Sequence, residues 1–104
     1  MSLIYIASAY SIGDQALNVR RQIEVADKLL EEGYVPFIPC LSHLWHLISP
    51  KPYEEWLRIS MDWLGYCDAV LRLSGESKGA DREVRYAKHL GIPVYFSLDE
   101  LLDK

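Results

Sequence analysis

Short apolar runs alternate with segments of helical period along the whole chain, and few architectures accommodate that alternation. Leu3-Ile4-Tyr5-Ile6-Ala7 is continuous apolar sequence, the pattern of a strand buried on both faces. A polar loop, Ser8–Gly13, follows, and Asp14 is placed to cap a helix. In that helix Ala16, Val19, Ile23, Ala26 and Leu30 recur at helical spacing, with Arg20, Arg21, Glu24 and Lys28 on the outer face. Gly33 is a natural stop. Tyr34–Pro39 reads as a second strand, and Pro36, which lacks a ladder donor, assigns it to a sheet edge. Residues 40–52 are aromatic-rich and end in prolines, predicting a loop with a short helical piece. A helix is predicted over Tyr53–Tyr66, with Tyr53, Leu57, Ser60, Met61 and Leu64 facing inward. The third strand is Ala69–Leu73, followed by the loop Ser74–Gly79, a helix over Ala80–Leu90 and a stop at Gly91. Pro93–Phe96 is the fourth strand, and Ser97 caps a last turn ending near Leu102.

Such alternation demands right-handed parallel crossovers and a sheet covered on both faces. The expected fold is therefore α/β, a flavodoxin-like or Rossmann-like three-layer sandwich. Its mostly parallel sheet has four or five strands in the order 2-1-3-4. The strand order reverses between strands 1 and 3, and ligands of such sheets bind beyond the carboxyl ends at that point. The loops that meet there, Ser8–Gly13 and Ser74–Gly79, are rich in Ser and Gly.

Composition narrows the function classes. The 104 residues make a single expected domain, half hydrophobic and one quarter charged, which excludes intrinsic disorder. No apolar run approaches the ~20 residues needed to cross a bilayer. The net charge of −4 argues against binding a nucleic acid backbone. The amino-terminal residues lack a secretory pattern, and the two cysteines, Cys40 and Cys67, are expected as free thiols in a reducing cytoplasm.

One carboxylate stands out. On a helical wheel Ala80, Val84, Ala87 and Leu90 share an arc, and Glu83 falls inside it, whereas Asp81, Arg82, Arg85 and Lys88 fall outside. A glutamate facing a sheet must be paired, shifted in pKa, or open to a cleft. The expectation places it in the first turn, where the helix dipole favours its ionised form. Ser77-Lys78-Gly79-Ala80 just before it offers a hydroxyl, an ammonium and helix-terminal N–H groups, the parts of an anion site. Cys40, His43 and His46 have spacings compatible with a metal but lack a fourth ligand, so packing or pocket-lining roles are expected instead. Of the three tryptophans, Trp45 is the best candidate for stacking on a base.

Two stretches carry a resemblance: Tyr5-Ile6-Ala7-Ser8-Ala9-Tyr10, and the segment from Cys67-Asp68-Ala69-Val70 through Ser77-x-Gly79-x-x-x-Glu83-x-x-x-Ala87 to Gly91-Ile92-Pro93-Val94. With them nearly the whole chain resembles the nucleoside 2-deoxyribosyltransferase superfamily, which includes 2'-deoxynucleoside 5'-phosphate N-glycosidases. The stretch Pro39–His46 resembles a less characterised bacterial and phage branch. The resemblance implies that Glu83 is a nucleophile attacking the anomeric carbon of a deoxyribose, with the glycosyl group passing to another base or to water. It implies substrate contacts from Tyr5, Ser8, Tyr10, Ser60, Ser77, Lys78 and Gly79, with Trp45 against the base, and a nucleoside or its 5'-monophosphate as ligand. No metal, redox cofactor, nucleic acid or membrane partner is implied. Ser60 stands where relatives usually carry an aspartate. A nucleotide-binding or sensor protein without turnover is the alternative, and an interaction module is a third. Tyr53, Trp56 and Trp63 on one helix exceed what a sheet face covers, so a homo-oligomer using that helix is expected.

Overall fold

The computed structural model describes residues 2–9 and 13–103. Its four strands, β1 (Leu3–Ala7), β2 (Val35–Phe37), β3 (Ala69–Arg72) and β4 (Val94–Tyr95), form one parallel sheet in the order β2-β1-β3-β4. The expected strand order holds, and Pro36 lies on the edge strand, opposite Ile4. Five helices accompany them: α1 (Gln15–Glu31), α2 (Ser42–Ile48), α3 (Tyr53–Leu64), α4 (Lys78–His89) and α5 (Leu98–Leu102).

Alternation along β1 divides the core in two. Ile4 and Ile6, with Leu71, pack against Ala26 and Leu29 of α1 and Leu101 of α5. Tyr5 and Ala7, with Val70, pack against Leu64 of α3 and Ala80 and Ala87 of α4. Side chains of successive strand residues point to opposite faces, so both faces of an apolar strand need a helical layer. The result is the three-layer sandwich.

Several local expectations need correction. The inward face of α1 is Gln22, Ala26 and Leu29, whereas Ile23 and Leu30 are exposed. Gln22 takes a core position because its amide is satisfied there: Nε2 donates to the Ala9 carbonyl at 3.2 Å, and Oε1 accepts from the Cys40 thiol at 2.8 Å. Residues 40–52 hold more regular structure than a loop, with a 3₁₀ turn over Pro39–Leu41 running into α2. Helix α2 ends before Pro50, which pushes Ser49 out of the helical region (φ −135°, ψ 82°). Helix α3 stops at Leu64, two residues short of the expected end. Helix α4 starts two residues early because Ser77 is its cap, Oγ accepting from the Ala80 N–H at 3.0 Å. The caps at Asp14 and Ser97 are as read from the sequence.

Candidate functional site

Beyond the carboxyl ends of β1 and β3, where the strand order reverses, lies a cleft of about 680 Å³. Helix α4 enters this cleft with its first turn, and Glu83 lies on the wall five residues after Lys78. Because the helix starts early, Glu83 belongs to its second turn, and the first-turn acid is Asp81. The expected dipole contribution to its ionisation therefore fades, since that effect is confined to the first turn.

Burial governs Glu83 instead. Only 8% exposed, it loses the water that stabilises its charge, which pushes its pKa from 4.5 up to about 7. Two neighbours pull the other way: the Tyr5 hydroxyl donates a hydrogen bond to Oε2, and the Arg72 charge attracts the carboxylate. Tyr5 is fully buried, and burial followed by the adjacent Glu83 charge holds its hydroxyl well above the usual phenol range. Ser60 hydrogen-bonds to the same phenol and opposes that rise. Ser60, Tyr5 and Glu83 thus form a relay from α3 across β1 to α4.

The remaining residues singled out in the sequence divide clearly. Ser8, Ser60, Ser77, Lys78 and Gly79 line the cleft with Glu83. Gly79 is tightly confined, because a Cβ there would sit 2.9 Å from the Tyr53 hydroxyl. Tyr5 is behind Glu83 and contributes nothing to the cleft wall. Trp45 lies outside the wall too; it meets Trp56 edge-on at 5.0 Å and lines a smaller groove beside β2. Trp45 is half exposed and, unlike His43 and His46 of the same helix, is not part of that wall. Tyr10 falls outside the described residues. Among the described residues no three His, Cys, Asp or Glu side chains are grouped to hold a metal.

Sequence reasoning missed three arginines. Arg72, 8% exposed, donates to the carbonyls of Leu73 and Gly75 and pairs with Asp81 at 3.1 Å, tying the loop after β3 to the start of α4. A charge interrupting the apolar run Ala69–Leu73 was its signal. Arg21, expected on the outer face of α1, reaches Ser8 Oγ at 3.3 Å and the Ser74 carbonyl. It links the segments that follow β1 and β3, a role that helical periodicity does not reveal. Arg82, also assigned to an outer face, lines the cleft and pairs with Glu54 at 3.6 Å. Burial pushes the Cys40 thiol up to about 11, which suits its role as a hydrogen-bond donor to Gln22.

Solved structures that share this architecture include two deoxyribosyltransferases. A 2-deoxyribosyltransferase from the psychrotolerant bacterium Bacillus psychrosaccharolyticus superposes with a TM-score of 0.64 at 20% identity, over 97% of this chain and 79% of that protein. A 2-desoxiribosyltransferase from Leishmania mexicana gives 0.69 at 20% identity over 90% of this chain, which spans 62% of the Leishmania protein. At this identity the likeness is one of fold. No curated protein matches the sequence. Residues 2–97 match the model of a domain of unknown function, DUF7768, and the chain belongs to that family.

Proposed function

We propose that the protein cleaves or transfers the N-glycosidic bond of a deoxynucleoside or its 5'-monophosphate, with Glu83 as nucleophile. The observation that carries the reading is a carboxylate, the one buried among the described residues, held by the Tyr5 hydroxyl on the wall of a cleft at the strand-order reversal. In the first step a Glu83 oxygen bonds to the anomeric carbon as the bond to the base breaks, leaving the electron pair on the base. The acceptor, water or a second base, then displaces the carboxylate and restores it. Tyr5 orients one carboxylate oxygen, leaving the other for attack, as a retaining double displacement needs. Ser77, Lys78 and the first N–H groups of α4 are suited to a 5'-phosphate. The fold of the two deoxyribosyltransferases supports the same substrate class.

The second reading, a nucleotide-binding protein without turnover, is favoured by Ser60. The hydroxyl at this cleft position supplies a hydrogen bond to Tyr5 but no second carboxylate. Incubation with 2'-deoxynucleosides, ribonucleosides and their monophosphates, with chromatography for free base, separates the two. Base release supports the enzyme; saturable binding of the same ligands without release supports the binding protein.

A further inference from the structure

The two sides of the cleft differ in chemistry. The α4 side offers Ser77, Lys78 and Arg82, whereas the α3 side offers Tyr53, Trp56 and Leu57. A polar sugar or phosphate suits the first wall, and the flat face of a base suits the second. Two imidazoles of α2, His43 and His46, also line the cleft, and His46 is in contact with Trp56 of the aromatic wall.

The protonation pattern of His46 is fixed by its neighbours. The Trp56 indole N–H donates to His46 Nδ1 at 2.7 Å, and the Lys51 backbone N–H donates to the same atom at 3.2 Å. Neither group can accept a hydrogen bond, so Nδ1 carries the lone pair and the ring proton resides on Nε2. Trp56 also packs edge-on against the imidazole at 5.8 Å, which restrains the ring's rotation. Turning the ring over would strand both donors.

We propose that His46 is a specificity-determining residue whose Nε2–H, held by Trp56 and Lys51, selects nucleosides with a hydrogen-bond acceptor on the base edge. The acceptor is a ring nitrogen or a carbonyl oxygen. A base that presents a donor there meets donor against donor and leaves a polar group unpaired. The assignment rests on the nucleoside reading above and adds to it the feature of the base that is recognised.

The test combines spectroscopy with binding. Nitrogen-15 NMR of the whole chain should show His46 protonated at Nε2 and bare at Nδ1. Trp56→Phe, which leaves only the longer Lys51 bond on Nδ1, should raise the share of the Nδ1-protonated tautomer. Calorimetry then compares 2'-deoxyinosine, 2'-deoxyuridine, 2'-deoxyadenosine and its 7-deaza analogue on wild type and His46→Asn. Asparagine keeps an acceptor for Trp56 and Lys51 but removes the Nε2 donor. The expected result is roughly three- to ten-fold weaker binding of the preferred nucleoside and a narrower spread among the four. Rescue of the spread by His46→Gln, which restores a donor near Nε2, supports the same conclusion. An unchanged ranking in a folded His46→Asn protein, or a proton found on Nδ1 in wild type, overturns the proposal alone. Should His46→Asn fail to fold, the Trp56→Phe protein decides by the same ranking. Wild type that binds none of the four overturns the proposal and the nucleoside reading together.

Discussion

Glu83 sits in a cost-bearing position, and its pKa near 7 makes that cost measurable. Folding raises its affinity for a proton, so its contribution to stability is complete below about pH 4.5 and is lost as pH rises through 7. The loss is on the order of 3 kcal/mol. Glu83→Gln keeps an acceptor for the Tyr5 hydroxyl and removes the titration. Arg72 keeps Asp81 and two carbonyls as partners, so the substitution strands no cation. Denaturant melts should therefore show wild type and Glu83→Gln diverging from pH 5 to 8, with the glutamine protein the more stable at pH 8. Parallel curves would mean that Glu83 is not the buried acid described. Tyr5→Phe removes a hydrogen bond that lowers the Glu83 pKa, so a pH–rate profile rising near 7 in wild type should rise at higher pH in the variant. The inward placement of Glu83 was legible in the sequence because a charge on an apolar arc has few explanations. The relay behind it was not, because Tyr5 reads as one more apolar strand residue until its partners, 55 and 78 positions away, are brought together.

Helix α4 shows how a single cap changes a site. The apolar spacing of Ala80, Val84 and Ala87 located the helix, yet its start depends on one hydroxyl bond from Ser77 to the Ala80 N–H, which periodicity does not register. Extending the helix back to Lys78 moves Lys78 and Gly79 into its first turn and Glu83 into its second. The buried face of helix α1 departs from its apolar spacing for the opposite reason: Ile23 and Leu30 carry the apolar pattern, but the buried amide of Gln22 and its partners turn the face. Edge strand β2 and the strand order followed from Pro36 and the parallel crossovers, which constrain topology strongly. Because Ser77 both caps α4 and lines the cleft, Ser77→Ala should cost about 1 kcal/mol of stability, measured by denaturant midpoint. Lys78→Ala should leave stability near wild type and weaken 5'-monophosphates about ten-fold by calorimetry while sparing nucleosides. Equal affinity of wild type for both ligand classes would remove the phosphate from the site.

At the scale of the whole molecule, exposed apolar residues are scattered along the chain but densest in α2 and at the end of α3. Leu44, Trp45, Leu47 and Ile48 of α2 are all exposed, Ile48 by 87%, and Trp63 and Tyr66 extend the apolar surface at the end of α3. Trp56 is not part of that surface, since it packs on Trp45 and His46 and lines the cleft. The aromatic excess on Tyr53–Tyr66 that suggested an oligomer is thus partly consumed within the chain, and α2 supplies the larger share of open apolar area. We propose that the exposed apolar residues of α2 and the end of α3 form an interface between copies of the chain, so light scattering at micromolar concentration should give at least twice the chain mass. Ile48→Glu and Leu47→Glu together should reduce it to one chain. A single-chain mass for the wild type would end that expectation.

The nucleophile assignment meets its most direct test in base release by wild type and Glu83→Gln, followed at pH 8, with melting temperature recorded on the same preparations. At that pH most Glu83 is ionised, and the glutamine variant retains shape and hydrogen bonding without the attacking charge. The predicted result is release of free base by wild type from a deoxynucleoside or its monophosphate, none by the variant, and a variant melting temperature at or above wild type. Undiminished release by a folded Glu83→Gln protein would contradict the mechanism.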